Sequence, residues 1–378
     1  MDKKEISKSI DKIADALESG KFDSDITVAV TNHGSELGSE NVNSAIEKLK
    51  DEVNIVIVGE KYTDEFETYE ANTDEEKADV IGKLFKEKKI DAAVTMHYPF
   101  PIGVSTVGKI IAPANGREVF LANTTGTSDI KREKAMILNA IDGIIAAKAN
   151  GIENPTVGIM NVEGARLVEK KLQELNENGF EIKFAESKRS DKGAVLRGND
   201  LIAGICDVYV TDSLTGNILA KTYSSFSTGG YYETVGAGYG PSIGENYETP
   251  VFIVSRASGS PVIREAIRYA KNSIEGNIVE VTKQVYKKAN SAGLKDILKS
   301  LDSKDKPKED KEVKVPDKEI VSSAIGGVDI LEIEDAITAL HSEGIYAESA
   351  MGCTGPVVMI NEAKKEKARE ILTNKGYI

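Results

Sequence analysis

Two patterns of apolar residues alternate along the chain. Short, continuous, β-branched runs such as Ile26-Thr27-Val28-Ala29-Val30 and Asn54 to Gly59 give way to stretches where Val42, Ile46 and Leu49 recur at helical spacing. The same rhythm returns at Ala92 to Thr95, Val157 to Met160, Asp207 to Val210 and Val251 to Val254. Continuous apolar strands are buried on both faces. Alternating with amphipathic helices, they predict an α/β fold with a mainly parallel sheet between two helical layers. Ligands in such sheets bind beyond the carboxyl ends of the strands, so the loops there are where chemistry is expected.

The two ends of the chain read differently. Residues 1–20 carry Ile6, Ile10, Ile13, Ala14 and Leu17 on one helical stripe, stopped by Gly20. This makes 1–24 an N-terminal helix ahead of an α/β body over 25–301. Residues 302–319 are almost all Lys, Asp, Glu, Ser and Pro, a composition that buries no core and predicts a flexible linker. Beyond it, helical patterns at Asp335 to His341 and Lys364 to Thr373 flank a strand pattern at Val357 to Ile360. A small C-terminal α+β module over 320–378 is expected.

Composition narrows the function. The chain has 378 residues, 40% of them hydrophobic, which is enough for a large core. A formal charge of −13 argues against a nucleic-acid partner, whose phosphates need basic surface. A small anion needs only a local nest of N–H groups and a cation or two. No apolar run is long enough to cross a bilayer, and the first residues form no signal peptide, so a cytoplasmic, membrane-free protein is expected. Cys206 and Cys353 make no disulfide framework. With His33, His97 and His341 widely spaced, no metal site and no cofactor are expected.

Four loops offer chemistry. After the 207–210 run come Asp212, Thr215, Gly216 and Asn217, opening a helix that carries Lys221. Free N–H groups there make an anion site; the alternative is an ordinary strand–turn–helix with Asn217 near the cap. The second loop, Asn123 to Lys131, has Thr124 and Thr125, which either hold a phosphate or serve as loop and cap residues. The third runs from Asn161 to Arg166, the arginine being a phosphate clamp or a solvated helix residue. The fourth offers Ser258 and Gly259 ahead of a helix. Cys206 reads as a core residue. Cys353, flanked by Gly352 and Gly355, is either a nucleophile or thioester-carrying thiol or a cysteine packed in a tight turn. The run Gly236 to Gly240 ends in Pro241 and follows no clear strand, which disfavours a dinucleotide enzyme.

Several of these residues together are similar to a known family. Gly151 to Asn161 and the 207–222 segment, with Asp212, Gly216, Asn217, Lys221 and Thr222, resemble the phosphate acyltransferases of the PlsX family. The 123–131 loop keeps Asp129 and Lys131 but has Asn123 where that family usually carries Asp. Thr31-Asn32-His33-Gly34 replaces a family Gly-Gly-Asp, and His97 to Pro101 replaces a Gly-Asn-Thr-Gly loop. With the C-terminal module and Cys353 added, the arrangement resembles the alpha subunits of protein C of glycine/sarcosine/betaine reductase complexes.

This resemblance implies a three-layer α/β/α sandwich shared with phosphotransacetylases. It implies an acyltransferase subunit that passes an acetyl thioester to inorganic phosphate, as substrate, to give acetyl phosphate. Cys353 would hold the acetyl group, and Thr124, Thr125, Asn161, Arg166, Asp212, Thr215, Gly216, Asn217, Lys221, Ser258 and Gly259 would surround the phosphate. It also implies a hetero-oligomer with a ketoacyl-synthase-like beta subunit, and selenoprotein A as acetyl donor. A stand-alone phosphate acyltransferase or phosphotransacetylase and a non-catalytic scaffold subunit are the alternatives.

Overall fold

The computed structural model describes residues 26–188, 193–302, 313, 315–328, 332–352 and 355–378. The expected N-terminal helix and most of the charged linker lie outside the described residues, as does Cys353.

The body begins β1 (Thr27–Thr31), α1 (Ser39–Glu47), β2 (Asn54–Gly59), β3 (Thr68–Glu70), α2 (Asp74–Lys86), β4 (Ala92–Thr95), β5 (Val104–Ile111), β6 (Glu118–Thr127). It continues through α3 (Arg132–Ala149), β7 (Thr156–Met160), α4 (Ala165–Glu177), β8 (Lys183–Phe184), β9 (Val195–Leu196), α5 (Gly198–Ile202) and β10 (Val208–Val210). It closes with α6 (Ser213–Ser225), β11 (Gly240–Ile243), β12 (Val251–Ile253), α7 (Ser260–Glu275), α8 (Ile278–Ser291) and α9 (Leu294–Ser300). The strands form one 12-stranded sheet, ordered β3-β2-β1-β4-β12-β11-β5-β6-β10-β7-β8, with β9 also on β7.

The sandwich follows from strand periodicity. Val28 and Val30 of β1 face one helical layer with Val42 and Ile46 of α1, Ile137 and Ile141 of α3 and Ile267 of α7. Ala29 between them faces the other layer, with Ile81 and Leu84 of α2 and Ala220 of α6. Both faces are therefore dry, which is why these strands read as unbroken apolar runs.

Strand direction holds a feature the apolar pattern does not encode. Strands β1, β2, β3, β4 and β12 are parallel. So are β6, β10, β7, β8 and β9. Between the two sets, β12–β11, β11–β5 and β5–β6 are antiparallel. Three reversals make the two parallel halves run in opposite directions. The sheet is mainly parallel, but its carboxyl ends open at two opposite edges rather than one. The hairpin β5–β6 turns at Asn115-Gly116, where Gly116 has φ of 71°, a tight connection that only antiparallel strands accept.

The C-terminal residues build a separate small sheet from β13 (Ser323–Gly326), α10 (Ile333–Ser342), β14 (Ala347–Gly352), β15 (Gly355–Ile360) and α11 (Lys365–Asn374). Its order is β13-β15-β14, all antiparallel. Ile325, Ile337, Leu340, Val358, Ile360 and Leu372 form its own core. Among the described residues, no helix is long and apolar enough to cross a membrane.

Candidate active site

The loops after β6, β10 and β7 belong to the same half of the sheet and meet at one edge. Around a cavity of about 500 Å³ they bring Asp129, Glu163 and Asp212 together with Asn123 of β6 and Arg132 and Asn139 of α3. Two helix starts reach this cavity, and their local chemistry differs.

At the start of α6, Asp212 caps its own helix. Its Oδ1 accepts the N–H groups of Leu214 at 3.1 Å and Thr215 at 3.0 Å, and its Oδ2 accepts the Thr215 hydroxyl at 2.8 Å. The Leu214 and Thr215 N–H groups, expected to face an anion here, are thus taken by the cap. Gly216 serves close packing: a Cβ there would stand 1.7 Å from the carbonyl oxygen of Asn123, so α6 lies directly against β6. Asn217 Nδ2 donates to the Thr124 carbonyl at 2.9 Å and fixes the same contact. The Thr124 hydroxyl is spent inside the sheet, 2.8 Å from the Thr106 hydroxyl and donating to the Tyr239 carbonyl at 2.6 Å.

The start of α3 is different. Its cap residue, Lys131, makes no side-chain cap, so among the described residues the first turn of α3 lacks the closure that Asp212 gives α6. Asp129 instead accepts the Lys131 N–H through Oδ1 at 2.8 Å and shapes the approach to the helix. Arg132 lies in the cavity wall, ion-paired with Glu163. An 18-residue helix presents its positive end here beside a guanidinium, which is the requirement for receiving an anion.

Behind this opening the polar groups are buried. Asn123 is 1% exposed; its Nδ2 donates to the Gly126 carbonyl at 3.3 Å, while its Oδ1 has no hydrogen-bond partner among the described residues. Asn139 Oδ1 accepts the hydroxyls of Ser128 at 2.7 Å and Ser105 at 3.3 Å, and its Nδ2 donates to the Thr211 carbonyl at 2.9 Å. Deeper still, Asp142 accepts from Tyr286 at 2.7 Å and Ser105 at 3.2 Å. Burial pushes the Asp142 carboxyl up to about 7, against the pull of those hydroxyl donors.

Other residues singled out in the sequence sit elsewhere. Thr125 is half-buried and not part of the cavity lining, and Asn161 is exposed with its backbone N–H on the Leu196 carbonyl at 2.9 Å. Arg166 pairs at 3.0 Å with Glu169, whose other oxygen takes the Ala194 N–H at 3.0 Å, so it braces α4 against the segment before β9. Lys221 is exposed near the far end of α6, its Nζ 5.3 Å from the centre of the Tyr239 ring. Ser258 and Gly259 follow β12, in the opposed half, and so face the opposite edge. There the Ser258 hydroxyl donates to buried Glu233 at 2.7 Å, and the Gly259 N–H donates to the Glu233 carbonyl at 2.8 Å. Cys206 is buried in the core, and burial pushes its thiol up to about 12. Asp129, Arg132, Glu133, Asn139 and Glu163 were not among the expected site residues. Asp129 two places before Lys131, just ahead of the apolar periodicity of α3, was the available sign of a helix start. Among the described residues, no group of three or more His, Cys, Asp or Glu could hold a metal ion.

Comparison with known proteins complements this geometry. Residues 26–359 match the model of the family described as fatty acid synthesis protein. The glycine/sarcosine/betaine reductase complex component C subunit alpha of Peptoclostridium acidaminophilum is 50% identical over 381 residues, covering 100% of this chain and 99% of that protein. The phosphate acyltransferase of Thermotoga maritima is 27% identical over 244 residues, 52% of this chain and 72% of that one. The crystal structure of a branched-chain phosphotransacylase from Enterococcus faecalis V583 aligns at a TM-score of 0.48 and 15% identity, covering 66% of this chain and 99% of that chain.

Proposed function

The chain belongs to the fatty acid synthesis protein family, and from that premise we propose that it is the acyltransferase subunit of an amino-acid reductase complex, releasing an enzyme-bound acetyl thioester to inorganic phosphate as acetyl phosphate. What supports the complex is the end-to-end similarity to a reductase-complex subunit. The observation that carries the phosphate step is the cavity at the uncapped start of α3, with Arg132 in its wall.

In this reading phosphate lies against the first-turn N–H groups of α3 and the Arg132 guanidinium. A phosphate oxygen attacks the thioester carbonyl carbon; the C–O bond forms, the C–S bond breaks, and the phosphate proton passes to the departing sulfur. N–H donors fixed in place need no reorganisation as charge develops on the carbonyl oxygen. Cys353, in the C-terminal module, is the proposed acetyl-carrying thiol, loaded through a ketoacyl-synthase-like beta subunit from selenoprotein A. No cofactor enters the scheme, and the working form is a cytoplasmic hetero-oligomer.

The test is arsenate-dependent breakdown of acetyl phosphate by the purified chain, alone and with its beta subunit, since acetyl arsenate hydrolyses and exposes exchange. Loss of turnover in both Cys353→Ala and Arg132→Ala is expected. Turnover undiminished in Arg132→Ala would remove phosphate from this cavity. Turnover intact in Cys353→Ala but lost in Arg132→Ala would favour direct transfer by a phosphate acyltransferase, a reading supported by the similarity to that family.

A further inference from the structure

The cavity has an unusual balance for a site that takes an anion. Its donors include the α3 N–H groups and Arg132, whereas Asp129, Glu133, Glu163 and Asp212 bring carboxylates to its lining. One acceptor stands out. Asn123 Oδ1 is buried in that lining with no donor among the described residues, and a buried acceptor left unpaired is costly. The group that satisfies it must carry a hydrogen.

We propose that the cavity reads the proton on its ligand: it accepts tetrahedral oxyanions that keep an O–H at neutral pH, phosphate and arsenate, and rejects fully deprotonated sulfate. The inference rests on the reading that phosphate binds here, and extends it to how phosphate is chosen. A phosphate oxygen facing α3 accepts from its N–H groups, while the P–OH on the inner side donates to Asn123 Oδ1. Sulfate has the same size and shape but no hydrogen, so its oxygen would face an unpaired acceptor and a carboxylate-lined wall. A site built to receive a hydrogen bond discriminates strongly against an analogue that cannot make it.

The experiment is calorimetric titration of the full chain with inorganic phosphate, arsenate and sulfate at matched ionic strength, repeated across neutral pH. Phosphate and arsenate are expected to bind at least about 10-fold more tightly than sulfate. Asn123→Leu, which keeps bulk and removes the acceptor, should weaken phosphate and leave sulfate nearly unchanged, so the ratio collapses. Should that variant not melt cooperatively, Asp129→Asn, which retains an acceptor for the Lys131 N–H but removes a charge from the wall, should raise sulfate affinity relative to phosphate. Equal binding of phosphate and sulfate, both lost in Arg132→Ala, would overturn the selection while leaving the cavity an anion site. Binding of neither, or binding indifferent to Arg132→Ala, would overturn both.

Discussion

Replacing Asp142 with Asn should flatten the dependence of stability on pH. Asp142 is fully buried between α3, β5 and α8, and its carboxyl rises from 3.8 in a free chain to about 7 in the fold. At about 1.36 kcal/mol per unit, that difference is about 4 kcal/mol, an upper bound for a group whose two hydroxyl donors relax around it. The folded value is raised, so the fold favours the protonated form. The contribution is fully present below the unfolded value and is lost as pH rises through the folded value near 7. From about pH 5 to pH 8 the folded carboxyl keeps its proton over about two units in which the unfolded one has lost it, equivalent to about 3 kcal/mol. An Asn amide fits the site: its oxygen accepts from Tyr286, and its Nδ2 donates to Ser105, whose hydroxyl turns to Asn139 Oδ1 at 3.3 Å. Urea unfolding of parent and variant at pH 5 and pH 8 is the assay. The parent should lose about 3 kcal/mol more than the variant between the two. Equal slopes would refute the argument, because other titrating groups are common to both proteins.

Two more outcomes follow from packing. Gly216→Ala should lower stability by about 1–3 kcal/mol, because its Cβ would press on the Asn123 carbonyl and separate α6 from β6; arsenolysis should fall with it, and a variant as stable as the parent would show that α6 shifts freely. Cys206 should resist iodoacetamide in the folded chain and react only on unfolding, since burial keeps its thiol protonated; peptide mapping of the alkylated protein would reveal labelling of the native state.

What the sequence made legible, and what it did not, divides along a physical line. Apolar periodicity reports burial, so the strands at Thr27–Thr31, Asn54–Gly59 and Val208–Val210 could be read directly. It carries no information about direction. The reversal depends on how β5, β6 and β11 pair, and its one local mark was Asn115-Gly116. That single omission put Ser258 and Gly259 on the same edge as Asp212, when the opposed halves separate them. A similar limit applies at helix starts. Asp212 and Asp129 both precede helices, yet Asp212 folds back on its own N–H groups while Asp129 leaves the α3 turn open. Only the path of the chain after each aspartate separates a capped start from one that can take an anion. Of the two helix starts at this edge, then, the one that drew less notice in the sequence is the one its cap residue leaves open, and Asn123 nearby supplies an acceptor unmet among the described residues.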